Sequence, residues 1–269
     1  PSARAVSVFI GSFAMKTIVY VDGFNLYYGA LKGTAYRWLD LARFCQIMLP
    51  RDDIRQIKYF TALVTPRPTN PDQATRQQTY LRALQTIPNL QIIYGHFLSH
   101  EITMPLAPPR SGYAKVIKTE EKGSDVNIAV HLLSDGFRNA YDAAVVVSND
   151  SDLLPPIKFV KEELGKLVGI LNPQKHPSVV LAATAHFVKN IRKGVLAKSQ
   201  FPATLTDTAG SFTKPTSWSW AVFERPPYPT VVSQDWWNDF YMRKRNLTFR
   251  VHLTAQRTHP ANASPQCPL

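Results

Sequence analysis

The sequence predicts an α/β protein of three layers, an α/β/α arrangement in which helices cover both faces of a mostly parallel central sheet. The first observation is an alternation of short apolar segments with longer segments whose apolar residues recur at helical spacing. The second is that the strongest strand segments are apolar throughout, as expected when both faces of a parallel sheet are covered. Such an alternation requires right-handed crossovers between neighbouring strands.

The predicted strands are short runs rich in Val, Ile, Leu and aromatic residues. They span residues 16–22, 54–64, 90–98, 142–148 and 166–172. The run DAAVVVS at 142–148 is the clearest of them, because it is apolar on both faces. Between 101 and 118 the sequence PLAPP separates two short extended runs, and we expect a hairpin or an irregular excursion there.

The predicted helices lie between these strands. They span residues 25–32, 38–48, 74–86, 125–139, 151–164 and 178–185. In the helix at 125–139, Ile128, Leu132 and Leu133 form the stripe that we expect to be buried. Ser124 directly precedes this helix and is its predicted N-cap.

One folded domain is predicted at 16–200. We expect residues 1–15 to be a non-native or disordered extension, because Met15 followed by Lys16 is a natural start. The apolar run at 6–15 also resembles a signal peptide, but a strong strand begins directly after it. Residues 201–269 contain scattered Trp, Pro, Arg and His without strand or helix periodicity, and we expect an irregular tail.

The formal net charge is +12, from 31 Lys and Arg against 19 Asp and Glu. Residues 16–218 keep 24 of these basic and 16 of these acidic residues, so the predicted domain is itself basic. A basic field attracts polyanions, nucleic acid first among them, although a merely basic surface is the plainer interpretation.

The cysteine count and the length of the apolar runs bear on location. Two cysteines, Cys45 and Cys267, form neither a disulfide framework nor a metal-ligand spacing, which favours a reducing, cytoplasmic setting. Since no apolar run approaches the roughly 18–20 residues that span a bilayer, we expect no membrane association. A homo-oligomer stays an open alternative.

Carboxylates occupy matching positions in three separate segments. Asp22 ends the first predicted strand, and Asp125 begins a predicted helix. Asp150 and Asp152 follow the strongest predicted strand, in VVVSNDSD. In an open parallel sheet, ligands bind beyond the carboxyl ends of the strands near a switch in strand order. We therefore expect these four side chains to approach one another at that edge.

Converging carboxylates repel one another unless a cation neutralises them. Hard oxygen ligands select Mg²⁺ or Mn²⁺, and such a metal can orient and deprotonate a water that attacks a phosphodiester. Each acid also has an ordinary interpretation. Asp22 could be a turn former, Asp125 a first-turn acid facing the helix dipole, and Asp150 with Asp152 a helix-capping pair.

Three motifs together resemble the NYN domain family, a branch of the PIN-like nuclease superfamily. They read VDGFNLYYG, EKGSDVNIAVHLL and YDAAVVVSNDSDL, and the similarity continues into GKLVGILNP and AHFVKNI, over roughly 16–200. The resemblance implies a PIN-like α/β/α fold, divalent metal binding and ribonuclease activity. It places the family's acidic positions, and the Asn that accompanies the first of them, on Asp22, Asn25, Asp125, Asp150 and Asp152.

The chain departs from the family pattern mildly at Asn149, where a small residue is usual. The pattern often ends near a KP-x-x-W stretch, here Lys214 to Trp218.

Four further residues are candidates for the site. The Asn25 amide could hydrogen-bond a metal-bound water or a phosphate oxygen, or it could cap the helix predicted at 25–32. Ser148 and Ser151 flank the third motif and could orient its carboxylates by hydrogen bonds. Together with Lys122, which could contact phosphate, these two serines are the candidate RNA contacts.

We expect a metal-dependent endoribonuclease that hydrolyses RNA with a metal-activated water. Asp22, Asp125 and Asp150 would hold the metal, and Asp152 would complete its shell. The first alternative is a non-catalytic RNA-binding regulatory module on the same fold, because fold does not fix function. The second is a small-molecule phosphohydrolase, which the DGFN motif disfavours because it lacks the second Asp of aspartyl-phosphate phosphatases.

Overall fold

The computed structural model describes residues 14–66, 68–107 and 111–219 of the 269-residue chain. Its strands, in chain order, are β1 (Lys16–Asp22), β2 (Asp53–Thr61), β3 (Leu90–Tyr94), β4 (His96–Pro105), β5 (Tyr113–Lys122), β6 (Ala143–Val147), β7 (Leu167–Asn172), β8 (Phe187–Asn190), β9 (Thr204–Asp207) and β10 (Gly210–Thr213). Six of them form one parallel sheet in the order β3-β2-β1-β6-β7-β8. Strand order therefore reverses between β1 and β6, which makes their carboxyl ends the switch point of the sheet.

Helices cover both faces of this sheet, so the predicted three-layer fold is confirmed. In chain order they are α1 (Gly23–Leu26), α2 (Leu41–Met48), α3 (Gln73–Gln85), α4 (Ser124–Phe137), α5 (Leu154–Glu162), α6 (Val179–Thr184) and α7 (Lys193–Lys198). One buried cluster joins the sheet to α2, α3 and α7, and a second joins it to α4, α5 and α6.

The alternation of side chains along β1 explains why both faces need cover. Val19 and Val21 belong to the first cluster, whereas Ile18 and Tyr20 belong to the second. Successive side chains of a strand point to opposite faces, so an apolar run such as KTIVYVD is stable only between two layers of helices. The central position of β1 therefore follows directly from its composition.

The described residues divide into two units. One comprises residues 14–99 and 119–219, and the other comprises residues 100–107 and 111–118. The second unit contains most of β4 and β5, which pair in a two-stranded sheet, with an ion pair at 2.9 Å between Lys115 and Glu101. It corresponds to the hairpin predicted at 101–118. In the described part of the chain, no helix is long and apolar enough to cross a membrane.

The structure differs from the sequence-based expectation in several elements. The strand predicted at 90–98 is two strands, because the chain leaves the large sheet at Gly95. The helix predicted at 25–32 is α1 followed by a π-helix at Tyr27–Leu31. The strand β8 and the helix α7 were not predicted. The four residues of β8 are too few for hydrophobic alternation to be recognised, and the α7 sequence KGVLAK contains a glycine, which disfavours a helix.

Residues 201–219 differ most, because they are not an irregular tail. The strands β9 and β10 form an antiparallel hairpin, and a 3₁₀ helix follows at Thr216–Trp218. The buried indole of Trp218 packs at a ring distance of 6.2 Å from Trp38, which is itself fully buried. This segment therefore completes the first core cluster. The remaining predictions, for residues 1–13 and 220–269, lie outside the described residues.

A buried polar network fixes α4 against the sheet. The Lys58 ammonium on β2 donates to the Asp135 carboxylate of α4 at 2.6 Å, and the Tyr20 hydroxyl on β1 donates to the same oxygen at 2.7 Å. The Nδ1 atom of His131 lies 3.2 Å from the Lys58 ammonium. Both charged groups are almost completely buried, so the attraction between them offsets the cost of removing each from water.

We expect Lys58→Met and Asp135→Asn each to lower the free energy of unfolding by roughly 3–5 kcal/mol, because each leaves an uncompensated buried charge. The double variant should be more stable than the sum of the two single effects predicts, since it leaves no unpaired charge. Urea unfolding of the four proteins measures this coupling. Strictly additive effects would contradict the buried pair.

Candidate metal centre

Asp22 joins three segments at the switch point. It ends β1 with no solvent exposure. One carboxylate oxygen accepts a hydrogen bond from the backbone N–H of Asn25 at 2.9 Å and so caps α1. The other oxygen accepts from the Ser148 hydroxyl at 3.1 Å, directly after β6. This acid therefore links β1, α1 and the turn that follows β6.

Burial raises the pKa of Asp22 to about 7. The Asn25 N–H and the Ser148 hydroxyl act in the opposite direction and lower this pKa, because they stabilise the charged carboxylate. The neighbouring charges of Asp125 and Asp150 raise it further. Asp22 therefore carries a carboxylate whose ionisation the fold opposes near neutral pH.

Asp150 and Asp152 lie on the turn after β6. The carboxylate of Asp150 accepts from the backbone N–H of Asp152 at 3.1 Å and caps a 3₁₀ helix at Ser151–Leu153. The backbone N–H of Asp150 donates to the Ser148 hydroxyl at 3.1 Å. Asp150 is half-buried and Asp152 is exposed. Asp150 thus caps a helix, as one interpretation of the NDSD motif expected. The carboxylates of Asp150 and Asp152 nevertheless lie at the edge of the sheet.

Asp125 arrives from the first turn of α4. Gly123 precedes the helix with a φ of +102°, a left-handed conformation that suits glycine. The predicted N-cap role of Ser124 is wrong, because Ser124 is already the first helical residue. Its backbone N–H and its hydroxyl donate to the Glu121 carboxylate at 3.2 and 2.9 Å. Glu121 therefore satisfies the start of the helix and fixes the position of Asp125.

Three carboxylates converge at this edge. One oxygen each from Asp125, Asp150 and Asp152 can be chosen so that all lie within 4.8 Å of one another, and we call these three residues the acidic cluster. Oxygen atoms at this spacing from two separate elements suit a hard divalent cation such as Mg²⁺ or Mn²⁺. The donor set therefore fits the predicted metal.

The other predicted residues take different places. Asp22 is not a member of the acidic cluster, and it has no solvent exposure, with hydrogen bonds to both of its oxygens. Ser148 is fully buried and its hydroxyl donates to Asp22, which is the carboxylate-orienting role expected from the sequence, whereas its contact with RNA stays a prediction. Ser151 is half-buried at the start of the 3₁₀ helix. Lys122 is exposed and forms an ion pair with Glu120 at 3.1 Å.

Asn25 lies inside α1, which Asp22 caps, so its expected role as the helix cap is wrong, whereas a hydrogen bond from its amide to a metal-bound water or a phosphate stays a prediction. Its carbonyl oxygen accepts from the backbone N–H of Asn149 at 3.1 Å and ties α1 to the turn after β6. Asn149 in turn binds the loop after β7, with its Oδ1 accepting from Ser178 N–H at 2.6 Å and its Nδ2 donating to the His176 carbonyl at 3.1 Å. The sequence did not predict the bridge made by Asn149, because no residue near Asn149 identifies β7 as the neighbour of β6 in the sheet.

The fold and this site define an α/β protein with an acidic cluster at the switch point of a parallel sheet. Residues 16–195 match the model of the NYN domain, and the chain belongs to that family. The family resemblance seen in the three sequence motifs is thereby confirmed.

A similar protein is the 6-hydroxy-3-succinoylpyridine 3-monooxygenase HspA of Pseudomonas putida (strain DSM 28022 / S16). It is 29% identical over 241 residues, and the match covers 78% of this chain and 77% of that protein. Among solved structures, a protein of unknown function from Vibrio parahaemolyticus RIMD 2210633 has a TM-score of 0.46 and 19% identity, covering 70% of this chain and 97% of that one. MurG of Acinetobacter baumannii has a TM-score of 0.32 and 14% identity, covering 70% and 43%.

Without divalent metal, Asp22→Asn should raise the thermal unfolding midpoint at pH 8 and change it little at pH 4. A carboxyl whose pKa is about 7 when folded and near 4 when unfolded opposes folding increasingly as the pH rises from 4 to 7, by a few kcal/mol at most. Thermal unfolding in EDTA from pH 4 to 8 measures this effect.

The exposed pair of Glu162 and Lys158 supplies the control for this measurement. The Glu162→Gln variant should keep the wild-type pH profile of the unfolding midpoint. Equal destabilisation by Asp22→Asn at both pH values would contradict the proposed cost of the buried charge.

Proposed function

We propose that this protein is a metal-dependent ribonuclease that hydrolyses RNA phosphodiester bonds. The observation that carries the proposal is the convergence of Asp125, Asp150 and Asp152 within 4.8 Å at the switch point of the sheet. Membership of the NYN family and the basic charge of the chain support the same conclusion, since a basic protein attracts a polyanionic substrate.

A Mg²⁺ or Mn²⁺ ion held at the cluster would activate a water and stabilise negative charge on the phosphate. The role of the chain is to hold three oxygen ligands in place. Asp150 is fixed by the capping bond to Asp152 and by Ser148, and Asp125 is fixed by the start of α4. Asp22 acts as a positioning residue, because its carboxylate accepts the Ser148 hydroxyl and so orients Ser148.

We expect Asp150→Asn and Asp125→Asn each to lower the rate of RNA cleavage by about 100-fold or more, since each removes a charged metal ligand. The measurement is cleavage of labelled single-stranded RNA, duplex RNA and DNA in Mn²⁺ or EDTA. The half-buried acid Asp53, which pairs with Arg55 at the opposite edge of the sheet, gives the control Asp53→Asn with unchanged cleavage.

Undiminished cleavage by an Asp125→Asn/Asp150→Asn double variant would falsify the proposal. RNA binding with neither metal binding at millimolar concentration nor cleavage would instead support the non-catalytic RNA-binding module. Calorimetric titration with Mn²⁺ distinguishes the two, because the module has no need of a bound cation.

The relative from Pseudomonas putida gives a second candidate function, the monooxygenation of a hydroxylated pyridine. The observation in its favour is 29% identity over more than three quarters of both chains. Incubation with 6-hydroxy-3-succinoylpyridine, a nicotinamide reductant and oxygen tests it by oxygen consumption, with and without added flavin. Turnover of the pyridine together with inert RNA would replace the ribonuclease proposal.

A further inference from the structure

The loop between β7 and α6, residues 173–178, is held rigidly by the side chain of a buried asparagine. The Oδ1 atom of Asn172 accepts from the backbone N–H of Gln174 at 3.0 Å. Its Nδ2 atom donates to the Gln174 carbonyl and to the Asn190 side chain, both at 2.9 Å. Since Asn172 has no solvent exposure, these bonds fix the beginning of the loop to the carboxyl ends of β7 and β8.

The far end of the same loop is attached beside the acidic cluster. Both polar atoms of the Asn149 side chain bind this loop, through the backbone of His176 and of Ser178. Asn149 directly precedes Asp150 in the chain. The loop backbone is therefore hydrogen-bonded to the neighbour in sequence of a residue of the acidic cluster.

The π-helix at Tyr27–Leu31 packs directly against this loop. A Cβ atom added at Gly29 would lie 2.9 Å from the side-chain nitrogen of Gln174 and 2.9 Å from the Pro173 carbonyl oxygen. Only a residue without a side chain allows so close an approach. At the end of this helix, the Lys32 ammonium lies 5.0 Å from the centre of the Tyr28 ring. An aromatic and basic pair thus stands on the element that adjoins the loop.

Three basic side chains are exposed on this loop and directly after the π-helix, in addition to the exposed Pro177 of the loop. Lys175 and His176 are exposed on the loop, and Lys32 is exposed at the end of the π-helix. We call Lys32, Lys175 and His176 the basic rim. The negatively charged acidic cluster and the positively charged basic rim could both contact one phosphodiester strand. A cation held by the cluster would bind one phosphate, and the basic rim would bind neighbouring phosphates.

We propose that the basic rim binds the phosphodiester backbone of a single nucleic acid strand beside the bond held at the acidic cluster. Lysines contribute to such binding by neutralising phosphates and releasing counterions, and an aromatic ring such as Tyr28 adds affinity for unpaired bases. This inference rests on the proposed ribonuclease function and names the part of the surface that the substrate follows.

The test measures binding of a labelled single-stranded RNA 12-mer to the full chain in EDTA, by fluorescence anisotropy between 50 and 200 mM KCl. The variant Lys32→Gln/Lys175→Gln should weaken binding roughly fivefold per lysine at about 0.1 M salt. It should also reduce the slope of log K against log salt concentration by about 0.7 per lysine. Unchanged thermal unfolding midpoints confirm that the variant is folded.

The matched control is Lys166→Gln. This lysine directly precedes β7 and lies at the opposite edge of the parallel sheet, and its substitution removes the same charge. A double variant that keeps the wild-type affinity and salt slope would overturn the inference about the rim, as would an equal effect per lysine in the control. If the wild-type protein neither binds nor cleaves RNA, the ribonuclease proposal fails and the rim inference fails with it. If the Lys32→Gln/Lys175→Gln variant still cleaves RNA and its salt slope is unaltered, only the inference about the basic rim is overturned.

Discussion

The Asp22 carboxylate lies between β1 and β6, and its hydrogen bonds decide how the switch point is built. One oxygen sets the start of α1, and the other holds Ser148, whose hydroxyl also accepts the N–H of Asp150. A buried carboxylate is costly, which is why its pKa rises to about 7. The packing of the surrounding sheet must therefore offset the free-energy cost of the buried Asp22 carboxylate. A cation at the nearby acidic cluster would relieve part of that cost.

The sequence predicted the central sheet because its signals are local. The segment KTIVYVD is apolar on both faces, and so is DAAVVVS, which identifies two covered strands before any partner is known. The hairpin at 204–213 carried no such signal, since its polar alternation is brief and its stability comes from distant residues. Arg82 on α3 binds the Asp207 carboxylate through two bonds of 2.6 Å, and Trp218 reaches Trp38 across 180 residues of chain.

The same distinction between local and distant signals applies to the site. The four aspartates could be found because each ends, follows or begins an element that the local pattern reveals. Their unequal exposure could not be predicted, since the complete burial of Asp22 depends on how β1 and β6 are covered. The bridge from Asn149 to the backbone of His176 and Ser178 was likewise hidden. It exists only because β6 and β7 are neighbours in the sheet, which no residue near Asn149 indicates.

The strand order also has a consequence for the newly made chain. The carboxylate of Asp22 and its partner Ser148 are 126 residues apart. At about 5–20 residues per second, β6 is synthesised roughly 6–25 s after β1. During that time β1 can pair with β2 on one side, while its other backbone edge has no neighbour. An open, apolar strand edge is a template for pairing with other chains. Because β1 is central, its second edge stays open until β6 is made. The rate of translation therefore determines how long the nascent chain is prone to aggregate.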